Sequence, residues 1–321
     1  MCMMAVVALA FTSCKKNEQA TFACATEQLQ SVDDEFEKVY IDNNNKIYFE
    51  AGDNVAVMRL GVGNDYANSQ MFMGTATTSG NHAQFTGNVS DLPAMGGFYS
   101  YYPYEGVKRD RLQNGNRVVF NLAPTQVYRA DENGKPLIPR GALYMAAKDE
   151  NATKLSECDF DYKNICGILS LKLYDPQGRS VKSIRVQDQA MSLSGNVQFK
   201  IDEVDPTEMT SVLNGFINNN GSQEYLNTLE QYMARIAYEV SATTTSVTLN
   251  CPQPVALGTT KAKATPFLIV LRPGALLHGC WIFVTVVDED GNNESTIKIT
   301  SNKNNVIRPN YIRNMAAYQV G

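Results

Sequence analysis

Short segments in which apolar and polar residues alternate recur along the chain, and Gly, Asn, Asp or Pro separates each from the next. This period of two places successive side chains on opposite faces of a β-strand. Residues 54–60 (NVAVMRL) and 97–102 (GFYSYY) are clear examples. Further strands in the first half are predicted at 39–41, 46–49, 83–87 and 118–120.

The pattern is more regular after residues 155–165. The segments 267–271 (FLIVL) and 281–287 (WIFVTVV) are the most apolar, and 166–174 (CGILSLKLY) precedes them. Further strands are predicted at 183–186, 196–200, 246–250 and 295–299. Many short strands at regular spacing predict an all-β fold, either a sandwich or a barrel.

One segment, 207–238, has a helical period instead. Its apolar residues Leu226, Leu229, Met233 and Ile236 share one helical face. We expect a short amphipathic helix, which either packs on the second domain or belongs to a mobile insertion that meets a partner.

The length of 321 residues suggests two domains. We place the first at 38–158 and the second at 159–321. Residues 14–37 are polar and acidic without a sustained period, which predicts a flexible tether.

The first 13 residues form a short apolar run (MCMMAVVALAFTS) that ends at Cys14, and the polar run KKNEQ follows. This arrangement is typical of a bacterial lipoprotein signal peptide, with lipid attached to Cys14. A plain secretory signal or a cut-down transmembrane helix is the alternative, and no Lys or Arg precedes the apolar run as a signal peptide usually has. The run is too short to span a bilayer, which needs about 20 apolar residues.

Composition narrows the class of protein. The chain is 44% hydrophobic and 19% charged, as expected of a globular protein. Its net charge is −5, and no basic patch is visible that would neutralise phosphates. We therefore expect no nucleic-acid partner.

Motifs for catalysis are missing from the sequence. The two histidines, His82 and His278, each lie between predicted strands without an evident acid–base partner. No GxSxG, HExxH or phosphate-binding loop occurs. The run 288–293 (DEDGNN) is the best metal candidate, but Asp-Gly between strands more often forms a hairpin turn. We expect neither enzymatic activity nor a cofactor.

Five cysteines follow Cys14 in the chain: Cys24, Cys158, Cys166, Cys251 and Cys280. In an oxidising compartment the pairs Cys158–Cys166 and Cys251–Cys280 are candidates for disulfides. The alternative is that all five are small hydrophobic core residues.

Tyr99, Tyr101, Tyr102 and Tyr104 form a tyrosine-rich patch around Pro103. If exposed, such rings bind a sugar or a protein. If the strand alternates, about half of them face the core instead.

Several stretches together resemble the fimbrillin family, the pilin-like lipoproteins of Bacteroidetes. Each is weak alone, and the match lies in their order along nearly the whole mature chain. The stretches are 11–14 (FTSC), 49–57 (FEAGDNVAV), 97–104 (GFYSYYPY), 166–173 (CGILSLKL), 193–195 (LSG), and 271–274 (LRPG) with 281–291.

The resemblance implies two tandem transthyretin-like β-sandwich domains. It also implies a fimbrial subunit or adhesin, lipid-anchored on the cell outer membrane, with other fimbrial subunits as partners. In that family, a protease that cleaves after Arg removes the N-terminal strand of stalk subunits. A C-terminal strand donated by a neighbouring subunit then fills the groove.

This chain departs from the family pattern, because its first arginine is Arg59, inside a predicted strand. Lys38 and Lys46 are the candidate processing sites that remain. The candidate donor strand is 306–320, with Ile307, Tyr311 and Ile312 as apolar members, although it reads equally well as an ordinary last strand. Stalk, tip and anchor roles stay open, and a non-polymerising surface lipoprotein that binds a glycan or host protein is the alternative.

Overall fold

A computed structural model gives the fold of the chain. It describes residues 20–26, 30–33, 47–59, 71–87, 97–106, 117–189, 191–200, 211–212, 215, 222–274, 276, 279–288, 290–291, 293–302 and 305–321. Cys14, the expected lipidation site, and Lys38 and Lys46, the candidate processing sites, lie outside these residues. So do the strand expected at 39–41 and His278.

The all-β prediction is confirmed, and most of the predicted strands are present. Strands β1 to β6 are Ala20–Thr26, Gln30–Asp33, Asn54–Arg59, Met71–Ala76, His82–Gly87 and Phe98–Tyr102. Strands β7 to β12 are Arg117–Leu122, Thr125–Val127, Arg129–Ala130, Pro136–Leu137, Met145–Asp149 and Asp159–Asn164.

The described residues after β12 include ten further strands and a fourteen-residue helix. Strands β13 to β17 are Gly167–Tyr174, Ser180–Asp188, Ser194–Lys200, Ala237–Thr244 and Ser246–Ala256. Strands β18 to β22 are Thr265–Leu271, Cys280–Val287, Glu294–Ser301, Tyr311–Asn314 and Tyr318–Gln319. Helix α1 is Gln223–Ile236.

Seven strands close into a barrel in the order β1-β12-β11-β6-β3-β4-β5. Its core is aromatic: Phe49 lies edge-on to Phe85, with ring centroids 5.0 Å apart, and to Tyr162 at 5.5 Å. Edge-to-face pairs of this kind add to the stabilisation that burial of the rings gives.

Two five-stranded sheets form a second region, and both contribute buried side chains to one hydrophobic cluster. One has the order β18-β13-β21-β2, with β22 also pairing with β13, and the other has the order β20-β19-β14-β17-β8. Its core is mainly aliphatic, and Leu171, Ile184 and Val284 are fully buried. The finer prediction, two tandem transthyretin-like sandwiches, stays a prediction.

Residues 14–37 contain strands, which corrects the expectation of a tether throughout. Strand β1 pairs with β5 and β12 in the barrel, and β2 pairs with β21 in the second region. The apolar side chains of β1 alternate as expected of a strand, but only Phe22 among them is large. A strand of small residues leaves a weak signal in the sequence.

The junction near residue 158 also differs from the expected domain boundary. Strand β12, which falls within the expected second domain, lies in the barrel between β1 and β11. Strand β15 pairs with β7, and β17 pairs with β8, so elements of the two halves share sheets.

Helix α1 confirms the predicted helix, and it packs against β15 and β16, whose sheet also contains β7 of the first half. Leu226, Leu229 and Tyr232 are buried in the same cluster as the barrel core. The pairing of β15 with β7 explains this placement, because it carries the β15–β16 segment and its helix towards the first half. Among the residues that the structure describes, no helix is long and apolar enough to cross a membrane.

Candidate functional site

Strand β1 is the element that closes the barrel. It lies between β5, to which it is antiparallel, and β12, to which it is parallel. Every other pairing in the barrel is antiparallel. Without β1, both β5 and β12 would be open edges, which readily accept another strand.

The side chains of β1 fill the barrel in alternation. Ala20, Phe22 and Cys24 are buried, whereas Thr21 is exposed. The Phe22 ring stacks on Phe85 at 5.7 Å and lies edge-on to Phe160 at 5.8 Å. In strand addition between proteins, the added strand likewise places alternate apolar side chains in the pockets of a groove.

Gly74 makes room for the Phe22 ring. A Cβ atom at residue 74 would clash with Cζ of that ring, and it would also crowd Val55. The pocket for Phe22 therefore depends on a residue without a side chain on the neighbouring strand β4.

Cys24 reaches a chain of buried polar groups at the other end of β1. Its thiol forms a hydrogen bond with the Tyr162 hydroxyl, which also bonds to Ser100. Ser100 Oγ donates to the Ala56 carbonyl at 3.1 Å. Burial raises the pKa of Tyr162 and of Cys24, so both groups stay protonated.

The candidate donor segment lies within the fold of its own chain. Strand β21 is parallel to β13 on one side and to β2 on the other. Ile307 and Ile312 are buried, and Tyr311 is half-buried. In this structure the segment is therefore an ordinary last part of the sheet, and its donation to a neighbour stays a prediction.

Close contacts hold this C-terminal segment in place. Gly167 lies against it so tightly that a Cβ atom would clash with the carbonyl oxygen of Arg308. Arg179 bonds through Nε to the fully buried Asp175 at 2.5 Å, and its Nη2 donates to the Val320 carbonyl at 3.1 Å.

Most of the tyrosine patch does not form an exposed surface, which corrects that expectation. Tyr99, Tyr101 and Tyr102 are buried, and Tyr101 has no exposed area. Tyr104 is half-buried. The reason is that all five residues of β6 are buried, so the strand does not alternate between core and solvent. The three buried rings therefore cannot offer a flat face to a ligand.

The other residues considered for catalysis or metal binding are His82 and the run 288–293. Nε2 of His82 lies 3.6 Å from a carboxylate oxygen of Asp159, and both side chains are more than half exposed. No cluster of three or more His, Cys, Asp or Glu side chains suited to a metal occurs within the described ranges. The run at 288–293 contains a turn, in which the Gly291 amide donates to the Asp288 carbonyl at 3.0 Å.

All five cysteines that follow Cys14 are buried, and none is in a disulfide. Burial raises the pKa of Cys166 and of Cys280 to about 12. Thiols in such surroundings are protonated and unreactive at neutral pH.

A cleft of about 370 Å³ lies where the barrel meets the second region. Tyr48 and Glu50 precede β3 on the barrel side, and Leu137 of the β9–β10 hairpin lines another part. The second region contributes Leu268 of β18 and Ile312 of β21.

Ion pairs connect the charged side chains in this cleft. Glu50 accepts a hydrogen bond from Arg129 at 2.8 Å and lies 3.5 Å from Arg140. Arg140 also pairs with the buried Asp53 at 3.1 Å. The hydrogen bond from Arg129 lowers the pKa of Glu50, and the bond to Asp53 raises the pKa of Arg140.

Sequence reasoning missed these cleft residues. They come from separate segments near residues 50, 130 and 140. Glu50 and Asp53 lie in the stretch 49–57 that resembles the fimbrillin family, but that resemblance gave no indication of a cleft. The one usable signal was Tyr48, a large ring in a segment, 46–49, that was predicted as a strand.

Comparisons with known proteins complete the description. No family model matches the chain, and no curated protein matches it. A candidate cell adhesion protein from Bacteroides ovatus has a similar solved structure, with 13% identity, 94% of this chain and 93% of that chain covered, and a TM-score of 0.44. A candidate cell adhesion protein from Bacteroides uniformis is 11% identical, with 89% of this chain and 98% of that chain covered and a TM-score of 0.41.

The tip fimbrial protein Mfa3 from Porphyromonas gingivalis, with a C-terminal truncation, is also similar. It is 10% identical, with 92% of this chain and 94% of that chain covered and a TM-score of 0.31. These names agree with the family that the sequence resembles.

Proposed function

We propose that this chain is a structural subunit or adhesin of a fimbrium, held at the outer membrane by lipid on Cys14. It joins other fimbrial subunits by strand addition. The position of β1 carries the proposal, since this N-terminal strand occupies a groove between two strands from elsewhere in the chain. The names of the similar solved structures agree with it but add no weight.

Loss of β1 would leave a groove that favours a replacement strand. Phe85, Phe160 and Tyr162 would lose a buried neighbour, and the edges of β5 and β12 would be unpaired. Exposed apolar surface beside open strand edges is strongly prone to pair with another chain. Cleavage after Lys38 or Lys46 would remove β1 and β2 together, so the edge of β21 would also open.

The chain end from 306 to 320 is the segment that we propose as donor. Its apolar members are Ile307, Tyr311 and Ile312, and those on one face of the strand would occupy the pockets left by β1. In the alternative, the N-terminal strand is never removed, because no arginine precedes Arg59. The chain then stays a lipid-anchored surface protein that binds a glycan or host protein without polymerising.

The test begins with the mature protein from cells. Surface fimbriae are purified, and mass spectrometry identifies the N-terminus of this chain in the fimbriae and in the membrane. A lipidated Cys14 in the membrane and an N-terminus after Lys38 or Lys46 in the fimbriae are expected of a polymerising subunit. Absence of the chain from fimbriae contradicts the proposal, and only lipidated full-length chain supports the anchored alternative.

A second test isolates strand addition. A chain that begins at Ile47 is mixed with a synthetic peptide of residues 306–320, and binding is measured by fluorescence anisotropy. The peptide is expected to bind only the chain that lacks β1. The chain that contains β1 is therefore the matched control. A peptide in which Ile307 and Ile312 are both changed to Asp should not bind.

A further inference from the structure

The cleft between the barrel and the second region has the properties of a ligand site, and it is distinct from the groove that β1 fills. Its volume of about 370 Å³ is within the range of roughly 300–1,000 Å³ found for small-molecule pockets. Such pockets are commonly found where two parts of a protein meet, and they combine apolar walls with a few placed polar groups.

Exposed apolar side chains concentrate at this cleft. Only four large hydrophobic side chains are exposed among the described residues: Tyr48, Met73, Val127 and Leu137. Two of these four line the cleft, namely Tyr48, which is 56% exposed, and Leu137, which is 37% exposed. The Tyr48 ring thus offers an accessible flat surface, in contrast to the buried rings of β6.

Fixed polar groups stand beside this ring. Glu50 is held by Arg129 at 2.8 Å, and Asp53 accepts hydrogen bonds from Arg140 and from the Glu50 amide at 2.8 Å. Asp53 is only 7% exposed, so it anchors Arg140 while about half of the Arg140 side chain remains open to solvent. The outer guanidinium and carboxylate atoms are therefore oriented before any ligand arrives.

The charges that line the cleft balance. Arg129, Arg140 and Lys135 contribute three positive charges, and Glu50, Asp53 and Asp131 contribute three negative ones. A balanced lining gives no net attraction for an anion or a cation. It does present donors and acceptors side by side, which suits a neutral molecule with many hydroxyl groups, because a hydroxyl both donates and accepts.

We propose that this cleft binds a neutral carbohydrate. The Tyr48 ring stacks on the apolar C–H face of a sugar, while Glu50, Arg129 and Arg140 bond its hydroxyl groups. This inference deepens the proposed surface function by giving the chemical class of a ligand, and it rests on that function for its biological role.

The first experiment screens for the ligand class. The full mature chain is labelled and applied to an array of neutral, sialylated and sulfated oligosaccharides, with an array of peptides in parallel. Binding to neutral oligosaccharides is expected. Binding only to charged oligosaccharides, binding only to peptides, or no binding to either array overturns the proposal.

The second experiment locates the site by calorimetry with the neutral oligosaccharide that binds best. Tyr48→Ala should weaken binding at least tenfold because the stacking surface is lost. Tyr48→Phe keeps the ring and should change the Kd less than threefold. Arg140→Ala should weaken binding by a similar factor to Tyr48→Ala.

Met73→Ala is the matched control, since Met73 is another exposed hydrophobic residue and does not line the cleft. It should leave the Kd unchanged. Equal losses in Tyr48→Ala and Met73→Ala, or unchanged binding in Tyr48→Ala, overturn the location. Thermal unfolding of each variant verifies that it is folded.

The outcome separates this inference from the proposed function. A chain found in fimbriae that binds no neutral oligosaccharide contradicts only the ligand site. A chain that binds at Tyr48 but is absent from fimbriae supports the ligand site and contradicts the fimbrial role.

Discussion

The barrel and the second region are each completed by a strand from one end of the chain, but the two closures differ. In the barrel, β1 fits into a groove and fills it chiefly with one large ring, that of Phe22. Both β1 and β21 are flanked by strands on both sides, and in the second region backbone bonds continue beyond β21 to Met315 and Val320.

The side chains that surround the two closing strands also differ in type. Aromatic rings such as Phe85 and Phe160 surround the end strand of the barrel. Aliphatic side chains from two sheets surround the C-terminal segment. The backbone pairing does not follow this difference, because β1 pairs with β5 over six residues and with β12 over four, whereas β21 pairs with β13 over three and with β2 over four. The two closures therefore differ in the kind of core that each strand fills.

The largest effect is expected from Phe22→Ala. It should lower the free energy of unfolding by about 3–5 kcal/mol, because it leaves a cavity among the barrel rings. Guanidinium unfolding measures the loss. Thr21→Ala on the exposed side of the same strand should stay within about 0.5 kcal/mol of wild type. A loss below 1 kcal/mol in Phe22→Ala would mean that β1 does not fill the barrel.

The next effect tests the C-terminal closure. Arg179→Ala should destabilise the chain by about 3 kcal/mol, because it leaves the carboxylate of Asp175 buried without its ion partner. It also removes a bond to the Val320 carbonyl. Lys182→Ala, which breaks an exposed pair with Glu294, is the control and should cost less than about 1 kcal/mol. Equal effects in chemical unfolding would show that the buried pair has no special role.

Each closure has a tightly packed glycine beside it, and adding a methyl group at each glycine allows the two closures to be compared. Gly167→Ala should cost about 1–3 kcal/mol, since the new methyl group meets backbone at Arg308 that cannot move aside. Gly74→Ala should cost less, because the new methyl meets the side-chain ring of Phe22. Thermal unfolding of both variants measures the order, and a larger loss for Gly74→Ala would reverse the comparison.

Thiol labelling measures local opening of the two regions. Cys24 of β1 and Cys280 of β19 are both fully buried, so a maleimide reaches them only when the structure opens. We expect Cys24 to react at least tenfold faster, since β1 pairs over six residues with β5 and over four with β12, whereas β19 pairs over eight residues on each side. Peptide mass spectrometry assigns each site. Equal rates would mean that β1 opens only with global unfolding.

The smallest effect concerns pH and the cleft. The Arg129 hydrogen bond lowers the pKa of Glu50 below its usual 4.5. Glu50 therefore stabilises the fold fully above pH 4.5, and this contribution is lost as the pH falls through the lowered folded-state pKa. Because the pair is partly exposed, Glu50→Gln should cost under about 1 kcal/mol at pH 7. Wild type and variant should converge in acid, and a difference that persists at pH 2 would assign the effect to packing.

Strands with a strong local pattern were predictable. Residues 166–174 and 281–287 carry enough branched and aromatic side chains to indicate strands, and both are present as β13 and β19. The helical face with Leu226 and Leu229 was equally clear. Strand β1 was missed because its alternation uses Ala20 and Cys24, which contribute little hydrophobic signal.

The sequence by itself determined the all-β character, most strands and the helix, because these follow from backbone geometry and side-chain period within a few residues. Only the tertiary structure decided that β1 closes the barrel, that β6 is buried on both faces, and that Tyr48, Glu50 and Arg140 meet in one cleft. Those outcomes depend on contacts between segments far apart in the chain. A local pattern shows which faces a segment can bury, but not which distant segment buries them.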